Sequence, residues 1–101
     1  MSLTKQYNEK KPVCKVTFKL EKDLANSANR VCLTGDFNNW DIESTQMKRL
    51  KGGDFTVTIN LEKGREYQFK YLLDNGKWLN ETEADKYVIN EYQGENSVII
   101  V

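Results

Sequence analysis

The chain has 101 residues, a size that suits one domain around one core. Lys+Arg and Asp+Glu each number 15, so the formal net charge is zero, which argues against nucleic acid and against a polybasic membrane surface as partners. There is no histidine, the commonest general base and metal ligand, and no apolar run approaches the roughly 20 residues of a membrane span.

Residues 1–12 are polar, end in the only proline and are expected to form a mobile arm with no secretory leader. In residues 13–20, Cys14, Val16, Phe18 and Leu20 alternate with Lys15, Thr17 and Lys19, the period of a half-buried strand. Residues 21–29 read as a polar connection. A second strand, Val31 to Thr34, runs through Gly35 into Asp36-Phe37-Asn38-Asn39-Trp40, where Asp and Asn favour turns. Residues 41–45 form another polar loop, and residues 46–50 a short strand with Met47, and Leu50 as a second candidate, facing inward.

The pair Gly52-Gly53 marks a hairpin turn. Phe55, Val57 and Ile59 then alternate with polar residues up to the turn at residues 62–65. Tyr67, Phe69, Tyr71 and Leu73 alternate with Gln68, Lys70 and Leu72, and Asp74-Asn75-Gly76 is a strong hairpin signal. Residues 77–79 return as a short strand, residues 80–96 form a long polar connection, and residues 97–101 close the chain as an apolar strand. About seven short strands without a convincing helix predict an all-β, antiparallel sandwich spanning residues 13–101. Phe18, Leu33, Phe55, Val57, Phe69, Tyr71 and Ile100 or its neighbour are expected in the core.

Cys14 and Cys32 lie inside strands at a spacing that fits no zinc or redox motif. They are expected to be buried free thiols, as in a reducing cytoplasm. The chain carries no phosphate-binding glycine loop and no serine nucleophile elbow, and no cofactor or metal is implied.

A loop tryptophan such as Trp40 either folds back onto the edge of the core or offers its face to a ligand. The pattern of residues 67–73 bears on that choice. Alternation places Lys70 with Gln68 and Leu72 on the face opposite the core residues, and the turn at residues 74–76 returns Trp78 to a neighbouring strand. A lysine beside a tryptophan on a polar sheet face is not a core arrangement. Pyranose rings carry C–H faces that stack on indoles, and hydroxyls that need amide and ammonium partners. Trp40, Trp78, Lys70 and Asn96, with Tyr92 nearby, supply such a set, and both indoles are expected to be substantially exposed.

The segments VCLTGDFNNW, YQFKYLLDNGKW and GENSVIIV together resemble the glycogen-binding domain family. That family includes the N-terminal domains of isoamylases and glycogen branching enzymes and the β subunits of AMP-activated protein kinases. The resemblance spans about residues 13–101 and implies an immunoglobulin-like sandwich. It places the family's two sugar-stacking tryptophans on Trp40 and Trp78, its sugar-contacting lysine on Lys70 and its asparagine before the last strand on Asn96. This chain has one extra residue within Asp74-Asn75-Gly76-Lys77. Where the kinase subunits have Leu-x-Thr-x-Asn, it has Tyr92-Gln93-Gly94-Glu95-Asn96, so Tyr92 takes the leucine's place.

Three functions compete. The leading one is a non-catalytic module for α-1,4-linked glucan, as in glycogen, starch or maltooligosaccharides, accessory to a catalytic domain or enzyme subunit. The second is a structural or protein-interaction domain with a decayed sugar site. The third, a two-carboxylate glycosidase, is disfavoured because a sandwich this small lacks an obvious deep cleft.

Overall fold

The computed structural model describes residues 3–25, 28–92 and 94–101. Among the described residues, nine strands form two antiparallel sheets. The first contains β1 (Leu3–Tyr7), β2 (Val13–Leu20), β4 (Lys48–Arg49) and β5 (Phe55–Glu62), in the order β1-β2-β5-β4. The second contains β3 (Val31–Gly35), β6 (Glu66–Leu73), β8 (Lys86–Ile89) and β9 (Glu95–Ile100), in the order β3-β6-β9-β8, with β7 (Trp78–Leu79) paired to β6.

Side chains alternate across each sheet, and the inward sets meet in one core. Cys14, Val16, Phe18 and Leu20 are buried on β2, as are Tyr67, Phe69, Tyr71 and Leu73 on β6. Phe18 and Phe69 bridge the two sheets edge to face, with ring centroids 5.1 Å apart, a favoured geometry for aromatic pairs. Cys14 and Cys32 are both free and buried.

Several elements differ from the sequence expectation. Met1 and Ser2 of the expected arm lie outside the described residues, but Leu3–Tyr7 is an edge strand paired with β2, from Leu3 opposite Phe18 to Tyr7 opposite Cys14. The connection after β2 contains a one-turn helix, α1 (Lys22–Ala25). The polar run at residues 80–96 contains β8, paired with β9 from Lys86 opposite Val98 to Ile89 opposite Glu95. Val57 is only partly buried and Leu50 faces solvent, while of Ile100 and its neighbour it is Ile99 that fills the expected core position.

β1 is also tied to the second sheet. The Lys5 ammonium donates to Asp85 Oδ2 at 2.7 Å and to the Ile100 carbonyl at 2.8 Å, and the same Asp85 oxygen accepts the Ile100 N–H at 2.7 Å. Burial opposes the charged carboxylate, but the Ile100 N–H and Lys5 outweigh it, so Asp85 is held below the ordinary carboxylate value. Its stabilisation is therefore fully present above the unfolded-state pKa, about 3.9, and is lost as pH falls through the lower folded value. Asp85→Asn is expected to lower the melting temperature at pH 7. The gap to the parent chain should close on acidification, as read by circular dichroism melts at a series of pH values.

Among the described residues one carboxyl group, that of Glu81, is buried. Glu81, 2% exposed, accepts from the Tyr71 hydroxyl and the Glu83 N–H, each at 2.7 Å. Burial, followed by the adjacent Glu81, raises the Tyr71 phenol well above its ordinary value, so it stays a donor.

Candidate functional site

Strand β6 divides its outer edge between two partners. Residues Glu66 to Phe69 pair with β9, and Tyr71 and Leu72 pair with β7. Lys70 falls at the seam between them. Its side chain points away from the core, and its ammonium donates to the Glu95 carbonyl at 3.0 Å. An ammonium carries three N–H donors, so this bond leaves others to offer. Asn80 donates to the same carbonyl at 2.9 Å and accepts from Ser97 Oγ at 2.9 Å; that hydroxyl in turn accepts the Glu81 N–H at 2.8 Å. The seam is thus braced from the buried side.

An open groove of about 780 Å³ lies over this seam, and Trp40, Lys70, Trp78, Tyr92 and Asn96 all line it. Trp78 stands opposite Leu72 at the start of β7 and is 41% exposed. Tyr92 projects from the loop between β8 and β9 and is 83% exposed. The residue after it, Gln93, lies outside the described residues.

Trp40 departs from the expectation of a largely free indole, being half-buried. Its segment explains why. Gly35 ends β3, and residues Asp36–Asn38 form a 3-10 turn. Phe37 packs inward, 5.9 Å from Phe18 between ring centroids. The Asn38 side chain accepts the Gly35 N–H at 3.0 Å and donates to the Leu33 carbonyl at 2.9 Å. Asn39 and Trp40 then both take left-handed backbone angles, with φ of 58° and 57°. A bulky residue there is strained by about 1–3 kcal/mol and persists only where its surroundings over-determine it. The Trp40 N–H bonds the Gly35 carbonyl at 2.9 Å, and its indole Nε1 donates to Asp36 Oδ1 at 2.9 Å. The result is an indole held against one wall of the groove.

Gln68 and Asn90, which lie outside the set expected from the sequence, also line the groove. Asn90 donates to Asn96 Oδ1, and Asn96 donates to Gln68 Oε1, each at 3.1 Å. The three amides form a ladder across the floor. Asn90 also organises the loop that carries Tyr92, because its Oδ1 accepts the Tyr92 N–H at 2.9 Å and the Gly94 N–H at 3.0 Å. Alternation along β6 put Gln68 on the Lys70 face and so offered a signal; for Asn90 the signal was only that of a turn former.

Aromatic walls over a floor of amide and ammonium donors suit a ligand with apolar faces and many oxygen acceptors around its rim. Among the described residues no group of three or more His, Cys, Asp or Glu is placed to hold a metal ion.

Residues 15–101 match the family model described as the glycogen recognition site of AMP-activated protein kinase. Over 76 residues, 75% of its length, the chain is 30% identical to "Protein PTST homolog 2, chloroplastic" of Arabidopsis thaliana, and covers 13% of that protein. Over 73 residues, 70% of its length, it is 33% identical to an amylopullulanase of Thermoanaerobacterium thermosulfurigenes, and covers 4% of it. The chain therefore corresponds to a small part of each relative.

Proposed function

The chain belongs to the family of the glycogen recognition site of AMP-activated protein kinase, and from that membership we propose that its groove binds α-1,4-linked glucan as a non-catalytic module. The observation that carries the assignment of the site is that Trp40, Trp78, Lys70, Asn96 and Tyr92 line one groove. Trp40 and Trp78 stack on glucose faces, and Tyr92 flanks the chain from the loop. Lys70 and Asn96 bond hydroxyls, with Gln68 beside them. A curved glucan chain presents successive sugar faces to the walls of a groove, and the donor-rich floor meets its hydroxyl oxygens.

The chain acts beside a catalytic domain or enzyme subunit that works on the same glucan; its likeness to part of an amylopullulanase supports this. Its zero net charge favours neither nucleic acid nor an anionic membrane as a partner. Buried free thiols support a reducing compartment, the cytoplasm.

Electrophoresis through native gels cast with glycogen tests the reading. The chain should be retarded by glycogen and should run unretarded in a gel containing a soluble β-1,4-glucan. Incubation with glycogen should release no reducing ends above a buffer control. Equal mobility in the glycogen and plain gels would contradict the proposal.

A further inference from the structure

One carboxylate joins the wall of the groove to its floor. Asp36 Oδ1 accepts the Trp40 indole N–H at 2.9 Å, and Asp36 Oδ2 accepts the backbone N–H of Gln68 at 2.8 Å. Gly35 pairs with Phe69 at the end of the β3–β6 ladder, so Asp36 follows where the ladder stops and its side chain replaces the missing rung. The side chain of Gln68 in turn accepts from Asn96 on the groove floor. Both oxygens of the carboxylate thus receive N–H donors, an arrangement in which an ionised acceptor makes shorter and stronger bonds than a neutral one.

From this geometry we infer that Asp36 is a positioning residue for glucan binding, which sets the Trp40 indole and locks it to the strand carrying Gln68 and Lys70. The inference rests on the glucan-binding reading of the groove. Asp36 does not touch the sugar. It acts through Trp40 in two ways. It supplies the bond that helps hold a bulky residue at a left-handed φ of 57°. It also engages the indole N–H, so Trp40 offers only its ring face, and recognition of hydroxyls falls to Lys70 and the amide ladder. Asparagine cannot replace it. An Asn side chain has one acceptor oxygen, and its amide N–H group would face one of the two N–H donors.

The test is a double-mutant cycle read by calorimetric titration with maltoheptaose. Asp36→Ala should weaken binding about tenfold, the scale on which a charge-assisted bond and the ring it orients contribute. In a Trp40→Ala background the same change should have no further effect, because the residue acts through that indole. Asp36→Asn, which keeps one acceptor, serves if the alanine variant fails to fold, and should also weaken binding. Hydrogen exchange at the Trp40 indole N–H, followed by NMR, provides a readout that loss of stability alone does not move. It should quicken by about tenfold in Asp36→Asn while core amides keep their protection. Losses that simply add in the double variant, or an unchanged affinity in both Asp36 variants, would overturn the inference and leave the glucan reading standing. A parent chain that does not bind maltoheptaose would overturn both.

Discussion

Gly35→Ala is expected to destabilise the domain by about 3 kcal/mol, the upper part of the usual range for overpacking. A Cβ built at Gly35 lies 2.4 Å from the Gln68 carbonyl oxygen, 2.7 Å from Phe69 Cβ and 3.0 Å from Phe69 Cα. Two of those atoms are backbone in the central strand β6, and none is the far end of a flexible side chain, so either β3 or β6 must shift. Space, rather than backbone freedom, imposes the glycine, since Gly35 is extended, with φ of −175°. Gly76, at the tip of the β6–β7 hairpin, makes the opposite case. Its Cβ would meet nothing within 4 Å, but its φ is +84°, so alanine there costs only the left-handed penalty of about 1–2 kcal/mol. For a domain of this size each kcal/mol moves the melting temperature by roughly 4–8 °C. Gly35→Ala should therefore melt on the order of 12–24 °C below the parent, and well below Gly76→Ala. Because Asp36 to Trp40 follow directly, it should also weaken glucan binding at temperatures where it remains folded. A melting temperature within a few degrees of the parent would show that β6 yields more easily than its packing implies.

The two indoles carry the other large expected effect. If each contributes on the order of 1–2 kcal/mol through stacking and area removed from water, Trp40→Ala and Trp78→Ala should each weaken maltooligosaccharide binding about tenfold or more. Their effects on stability should differ. Trp78 is 41% exposed on a two-residue strand, so its loss should barely move the melting temperature. Trp40 is half-buried and bonded to Asp36, so its loss should lower it modestly. Thermal melts run beside the titrations separate these cases. A large melting loss for Trp78→Ala with unchanged affinity would return that residue to a packing role.

The sandwich was legible wherever a strand buries one face and exposes the other. β2 and β6 announce themselves by clean alternation, and their inward residues form the core. β1 and β8 did not, for a physical reason. Each lies at a sheet edge and has no fully buried position, so neither carries the apolar face that makes a strand visible. β1 reads LTKQY and shows only half-buried or exposed positions. β8 reads KYVI inside a polar run and is held by its pairing with β9. A short apolar run carries no phase of its own, so the sequence leaves open whether Ile100 or its neighbour faces the core; pairing with β6 turns Ile99 inward. Glu81 gave no signal either, since its burial depends on Tyr71 and on the N–H of Glu83.

The candidate site divides along the same line. Trp40, Lys70, Trp78 and Asn96 were legible because a turn motif, strand alternation and a hairpin fix where each points, and Tyr92 because it takes a recognisable place in the last loop. The half-burial of Trp40 was not, because it follows from a bond to Asp36 and two consecutive left-handed residues. Asp36, Gln68 and Asn90 act by bonding across elements, and such pairings emerge only when β3, β6 and β9 lie side by side.

The central claim is that one groove, walled by Trp40 and Trp78, binds α-1,4-linked glucan. Calorimetric titration with maltoheptaose of the parent chain and of the doubly substituted Trp40→Ala, Trp78→Ala chain tests it most directly. Saturable binding at one site per chain is expected for the parent. If the two losses add, binding by the double variant should be weakened about a hundredfold, with the fold retained by circular dichroism. A parent chain that produces no binding heat and no change in tryptophan fluorescence, or a folded double variant with the parent's affinity, would contradict it.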